Sequence, residues 1–357
     1  MIKFVAILTL FLFFSCALSP RKDPGPGRLD QVTGLPPHMI SKCEIYDLSG
    51  KLLRHIAGHM CLYEKDGTTY QNRGGHLTKY DRHFNIIWEE PVTFMHHQFT
   101  KSVVDDSLLT LESRFKLTTA GRLREDVINV RDAGGKIIKS VNFSKLMNQL
   151  KEKKQNILEP SAVHWFDWFF NDGRENFETS HINSFAETYE ESDGRKVLTG
   201  YLVYCNHQKK IVFLSANLQT VTGFIDTAGR YIHNLRMLNP QKLIFYQNLQ
   251  ELPSKAQSYS SVQTFDLKTQ TFSELYSAHS PSFSGRACGS VQVLSDNQLF
   301  ITHSNCILSP DSVKLTSVEY VNLLTREQAV HVFSESKFIS NMELLDLTEY
   351  LKNNPGL

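Results

Sequence analysis

Fourteen histidines are spread through the 357-residue chain, and three of them share a context that could do chemistry. His97 lies in HHQFTKSVVDDSLLTL, His181 opens HINSFAETYEESDGRKVL and His233 opens HNLRMLNPQKLIF. Each stands at the beginning of a β-prone run that is followed by a polar turn and a second β-prone run. Gly289 takes the same place in GSVQVLSDNQLFI: Leu294 and Leu299 follow it at the spacing with which Leu238 and Leu243 follow His233. A neutral imidazole can attack an electrophilic centre, and a protonated one can hold developing negative charge or protonate a leaving group. Three histidines could also ligate zinc or copper, but no carboxylate or cysteine accompanies them at comparable positions, so no metal is expected. His96, beside His97, should point to the other face of a shared strand and be structural.

The elements that must position these residues form a repeat. An aromatic or apolar residue, Asp or its stand-in, a short polar turn and a second apolar run recur at 45–56 (IYDLSGKLLRHI), 79–90, 130–141, 264–275 and 320–333, with a worn copy at 212–225. Each reads as strand, tight turn, strand. Further strand pairs precede most copies, which makes four strands per unit at spacings of about 50 residues. That pattern predicts an all-β fold, a six-bladed β-propeller over residues 40–350. The first hairpin lacks two strands of its own, and 338–347 (FISNMELLDL) is expected to complete that blade, so that both termini close the ring. One segment, 143–179, breaks the period with a helix-like run and the aromatic stretch from His164 to Phe170. It is expected to lie over one end of the ring, walling an aromatic-ligand pocket or packing the insertion in place. In a propeller the innermost strands line the channel, so repeat-equivalent histidines should converge on one mouth.

The succession of HHxF before an LLTL strand, a DxxGKII hairpin followed by a helix, HxNS (His181 to Ser184), a histidine before a leucine-rich hairpin ending in Asn248, and a GSxQxL strand resembles the arylsulfotransferase family. The resemblance runs from about residue 40 to 336, and HxNS is its most specific element. It implies a periplasmic six-bladed propeller that moves a sulfuryl group from a phenolic sulfate ester to a phenol through a sulfated histidine, with no cofactor. By position it makes His233 the nucleophile, with His97 and His181 holding the sulfuryl oxygens and Asn183 assisting. The chain departs from the family in one respect. The strand after HxNS normally carries an arginine for the sulfuryl group, and 197–207 (VLTGYLVYCNH) has none. Tyr201 or Tyr204 occupies that neighbourhood, and Arg286 or Lys209 could stand in from elsewhere; a tyrosine hydroxyl offers one neutral hydrogen bond where a guanidinium offers a charged fork. The expected ligand is a small phenolic sulfate or another anionic aromatic molecule. The alternative is a non-catalytic, membrane-tethered propeller that serves as a binding scaffold. The family's extra N-terminal β-domain has no room here, which points to a monomer.

Composition bounds these readings. Lys and Arg number 38 against 37 Asp and Glu, a formal net charge of +1, with 41% hydrophobic residues. No broad positive field exists to hold a nucleic acid, and so few charges exclude a disordered solvating chain. The start of the chain, residues 1–16, has one lysine, an apolar run and Ser15-Cys16, which fits a secretory signal better than a membrane span. Cys16 is placed for lipidation, cleavage after Ala17 being the other reading, and 17–38 is expected to be a disordered tether to the membrane. Export permits disulfides. The remaining cysteines show no CxxC spacing, so no zinc motif is present. Cys288 and Cys306 flank a hairpin-like stretch and are expected either to pair or to be buried thiols, and five cysteines leave at least one unpaired.

Overall fold

The acidic residue of the repeated hairpin acts through its side chain. Asp47 Oδ1 accepts from the backbone N–H groups of Ser49 and Lys51 at 2.9 and 3.0 Å. Asp81 does the same for His83 and Asn85, Asp266 for Lys268 and Thr269, and Asn322 for Leu324 and Thr325. In the worn copy Asn217 accepts from Gln219. Each is a local side-chain turn that saves the tip's N–H groups from going unpaired and pins the register of the flanking strands.

The chain folds accordingly, in a computed structural model that describes residues 27–58, 60–119, 121–151, 161–162, 176–178, 180–248, 260–277, 288–304, 316–333 and 342–353. Strands β1 (His38–Ser41), β2 (Glu44–Asp47) and β3 (Leu52–His55) begin the first blade; β4 (Met60–Tyr63), β5 (Thr69–Arg73), β6 (His76–Tyr80) and β7 (Ile86–Pro91) form the second. The third holds β8 (Phe94–Lys101), β9 (Leu108–Thr118), β10 (Gly121–Arg131) and β11 (Ile137–Asn142). The insertion follows, with α1 (Phe143–Lys151), β12 (Ser161–Ala162) and β13 (Asn176–Glu178). The fourth blade is β14 (Ile182–Ser192), β15 (Arg195–Cys205), β16 (Lys210–Ser215) and β17 (Val221–Asp226). The fifth is β18 (Ile232–Asn239), β19 (Lys242–Gln247), β20 (Ser261–Asp266) and β21 (Thr271–Ser277), and the sixth β22 (Cys288–Ser295), β23 (Gln298–Ser304), β24 (Thr316–Asn322) and β25 (Gln328–Phe333). Strand β26 (Glu343–Leu345) and helix α2 (Thr348–Asn353) end the described chain. All six predicted hairpins are the outer two strands of a blade.

The first blade has the order β26-β1-β2-β3, so strands from both ends of the chain close the ring. It needs one strand from the C-terminal side rather than two, because β1 lies where the tether was expected to end. Residues 27–38, expected to belong to the tether, also meet the ring. Gly27 pairs in parallel with Ala329, and Leu29 is buried against Met39, Tyr320 and Phe333, since an apolar side chain beside an open core edge gains by covering it. Cys43 and Cys61 form a disulfide that ties the first blade to the second. Cys205 is a buried free thiol, and Cys288 is disulfide-bonded; its expected partner Cys306 lies outside the described residues, as do Cys16 and the signal segment.

Cores form where blades face each other. Leu111, Ile128 and Val130 meet Phe185, Tyr201 and Val203 between the third and fourth blades, with Phe143 and Met147 of α1 in the same cluster. Ile211 and Tyr204 meet Leu235 and Phe245 between the fourth and fifth. The insertion thus starts with the expected helix, which packs into an inter-blade seam, and then returns to pair β13 in parallel with the far half of β10. The aromatic stretch 164–170 lies outside the described residues.

Candidate functional site

In an antiparallel blade the start of the first strand and the end of the second meet at one end of the ring. His181 and His233 stand immediately before or at the starts of β14 and β18, and the turns after β15 and β19 carry His207, Lys209 and Asn248 to the same end. The site is assembled from these connections.

His181 has a left-handed backbone (φ 45°), unusual for a residue with a side chain, and is held there by Asn206, whose N–H donates to the His181 carbonyl at 3.0 Å. Its Nδ1 lies 2.6 Å from Glu178 Oε2, the same oxygen that His207 Nε2 approaches to 3.2 Å. The two rings meet edge to face at 5.5 Å. Glu178 is buried at the end of β13, and its other oxygen accepts from Arg124 Nη1. Arg124, on β10 and also buried, pairs with Asp126 at 3.0 Å and donates to His96. Asp126 Oδ2 in turn accepts from Ser180 Oγ at 2.7 Å and the Ile182 N–H at 3.0 Å, which clamps the segment bearing His181.

Charge in this pocket follows from its geometry. Burial would raise the Glu178 carboxyl, but His181, His207 and Arg124 overcome it and hold Glu178 well below the usual carboxylate range. Asp126 is likewise pushed up by burial and pulled down further by Arg124 and His96. His96 is lowered to about 4 by burial and the neighbouring guanidinium, so it is neutral at pH 7. The expected structural role of His96 holds: it is a buried partner of Arg124 and Asp126.

His233 sits in a different environment. Its Nδ1 is hydrogen-bonded to Asn248 Oδ1, and Asn248 Nδ2 donates to the Cys288 carbonyl at 3.1 Å, which orients the amide. An amide oxygen can only accept, so Nδ1 carries the proton and the lone pair is on Nε2. Burial lowers His233 to about 4, with the charges of His181 and Lys209 acting in the same direction. Lys209 is itself pushed down to about 8 by burial; its Nζ donates to Asn206 Oδ1 at 2.8 Å and lies over the Tyr231 ring. Asn183, the bulged residue between Ile182 and Ser184, donates to the Ile232 carbonyl at 3.4 Å while its own Oδ1 is buried without a hydrogen-bond partner among the described residues.

The structure therefore brings His181, Asn183 and His233 to one end of the fourth and fifth blades. His97 falls in β8, where pairing is broken between Met95 and Phe99, and its side chain lies outside the described residues, as does Arg286. Tyr201 does not join the site. It pairs with Glu187, six residues along β14 from His181 and so about 20 Å away, and its ring is buried against Phe185 with Lys139 Nζ 3.2 Å from its hydroxyl. Tyr204 is used too, its hydroxyl donating to the Arg230 carbonyl. No carboxylate was expected at positions comparable to the histidines; Glu178 is not at a repeat-equivalent position, yet the fold sets it against His181. The sequence signal for it was proximity alone, three residues before His181; His207 and Arg124 lie outside the repeat position and gave none.

No protein-family profile matches the chain, and no curated protein matches it in sequence. Among solved structures it is similar to a protein of unknown function from Bacteroides caccae, at 8% identity over 86% of this chain and 98% of that one, with a TM-score of 0.47. It is also similar to the Dos1 propeller, at 12% identity over 85% and 76% of the two chains and a TM-score of 0.39. A third is the dihydro-heme d1 dehydrogenase NirN, at 10% identity over 90% and 79% and a TM-score of 0.35.

Proposed function

We propose that the chain is an exported arylsulfotransferase-like propeller that moves a sulfuryl group from a phenolic sulfate ester to a phenol through Nε2 of His233. The observation that carries this reading is the pairing of His233 with Asn248, which sets the nucleophilic tautomer while burial keeps the ring neutral at pH 7. In the first half-reaction the N–S bond forms as the bond from sulfur to the ester oxygen breaks, and the departing phenolate takes up a proton. In the second a phenol oxygen attacks sulfur, loses its proton and regenerates His233. Lys209, close enough for its charge to act on His233, is placed to offset the anion where the segment 197–207 has no arginine. In this reading His97, His181 and Asn183 surround the sulfuryl oxygens. The Cys43–Cys61 disulfide supports an oxidising compartment, here the periplasm, with the protein held to the membrane by a lipid on Cys16 as a monomer.

One observation favours the alternative of a scaffold that binds an anionic aromatic ligand without reaction. The guanidinium that shares Glu178 with His181, that of Arg124, is already paired with Glu178 and Asp126. Incubation with a chromogenic aryl sulfate and a phenol acceptor decides between them. Transfer predicts released chromophore and a peptide bearing a sulfuryl group on His233, both lost in His233→Ala. Ligand binding with neither signal leaves the scaffold.

A further inference from the structure

We propose that Glu178, His181 and His207 form a binding site for a divalent transition-metal ion of the zinc class. The three donor atoms, Glu178 Oε2, His181 Nδ1 and His207 Nε2, all lie within 4.8 Å of one another. Zinc bonds of about 2.0–2.2 Å place tetrahedral ligands roughly 3.3 Å apart, so the present 2.6 and 3.2 Å approaches to Oε2 need adjustments of under about 1 Å. Two imidazoles and one carboxylate with a remaining position for solvent or ligand is a recurring zinc donor set. The burial gradient suits an open site: the carboxylate is 1% exposed, whereas His181 and His207 are 17% and 22% exposed.

The surroundings are built around these donors. Arg124 holds the non-ligating oxygen of Glu178, the kind of outer contact that orients a metal-binding carboxylate. Asp126 fixes the segment carrying His181, and the bond from Asn206 N–H to the His181 carbonyl fixes the turn that carries His207 relative to it. Two carboxylates, Glu178 and Asp126, meet the guanidinium of Arg124 in this buried cluster, so Arg124 by itself does not balance them and a cation on Glu178 would offset the remainder.

A metal on this site would change what His181 can do. Without it, Nδ1–H of His181 facing Glu178 would leave only a lone pair on Nε2 in the neutral form of the ring. Ligation through Nδ1 moves the proton to Nε2, which becomes a donor for an anion, and the ion adds positive charge where the segment 197–207 has no arginine. The site itself does not depend on sulfuryl transfer, and its test uses no sulfate ester.

Full-length protein, treated with chelator and dialysed, is titrated with Zn²⁺ by calorimetry and with Co²⁺ by visible absorption. One ion per chain is expected, with a cobalt spectrum of low coordination number. His207→Ala should weaken both by about 100-fold or more, since it removes a ligand from a surface turn. Glu178→Gln should do the same, and circular dichroism separates loss of binding from loss of fold. No stoichiometric binding by the native chain, or undiminished binding by His207→Ala, overturns the site. Released phenol in the earlier assay is read separately, so either proposal can fail alone.

Discussion

His181 and His233 occupy equivalent places in adjoining blades, yet the partner of Nδ1 differs in kind. His181 faces a carboxylate that the insertion delivers from β13, with a guanidinium and a second carboxylate behind it. His233 faces an amide oxygen oriented by a backbone carbonyl. The first environment stabilises positive charge on or beside the ring; the second fixes a tautomer and leaves burial to keep the ring neutral. In the sixth blade the same place is Gly289, where an added Cβ would run into the Tyr246 ring. The imidazole opposite that place is His303, paired with Gly289 and buried between Tyr246 and Glu319. Repetition of the backbone thus places side chains at one end of the ring, while non-repeated neighbours decide their chemistry.

Breaking the charged half should have the largest effect. Arg124→Met leaves Glu178 and Asp126 buried without their cation and is expected to cost about 3–5 kcal/mol in urea denaturation. A loss under about 1 kcal/mol would show that the pocket is not held together by charge. Acid titration of stability comes next. His96 and His233 are lowered to about 4 in the folded chain, so between about pH 6.5 and 4 the unfolded chain binds protons that the folded one does not. Stability should therefore fall as the pH drops through that window, by at most about 3 kcal/mol from buried His96, and His96→Asn should remove that share. Glu178 and Asp126 are depressed, so their contribution is present above the ordinary carboxylate range and is lost below it, steepening the fall at lower pH.

Gly289→Ala tests the third member by driving a methyl group into Tyr246, with an expected cost of about 1–3 kcal/mol read as a lowered thermal midpoint. An unchanged midpoint would mean that the ring can move aside and that the blade could have accepted a histidine there. The neutral half should be the least sensitive in stability: Asn248→Ala is expected to cost about 1 kcal/mol. Its effect on phenol release should be larger, about 100-fold, because His233 loses the acceptor that sets its tautomer. Equal loss of phenol release in Asn248→Ala and Asn248→Asp would argue against that role, since Asp retains an acceptor oxygen.

The repeated Asp-turn hairpins made the ring legible, because each turn's hydrogen bonds are made within a few residues and leave a local trace. The same regularity marked His181 and His233 as neighbours and the C-terminal segment as a closing strand. Tyr201 was misplaced because nearness along a strand says nothing about distance along the channel axis; six residues of extended chain remove it from the site. Glu178, His207 and Arg124 were not legible as a group, since they come from the insertion, a turn and the preceding blade. The Cys43–Cys61 bridge joins two blades and likewise has no local signature.

The sequence by itself determined the all-β repeat, the count of blades and which histidines share an end of the ring, since turn geometry and strand alternation act over a few residues. Tertiary structure alone decided what those histidines face. The pairing of β13 with β10 brings Glu178 and Arg124 together out of water, where a carboxylate and a guanidinium separated by 54 positions set each other's charge. Electrostatic partnership depends on distance through space and on burial, and neither is written in sequence spacing.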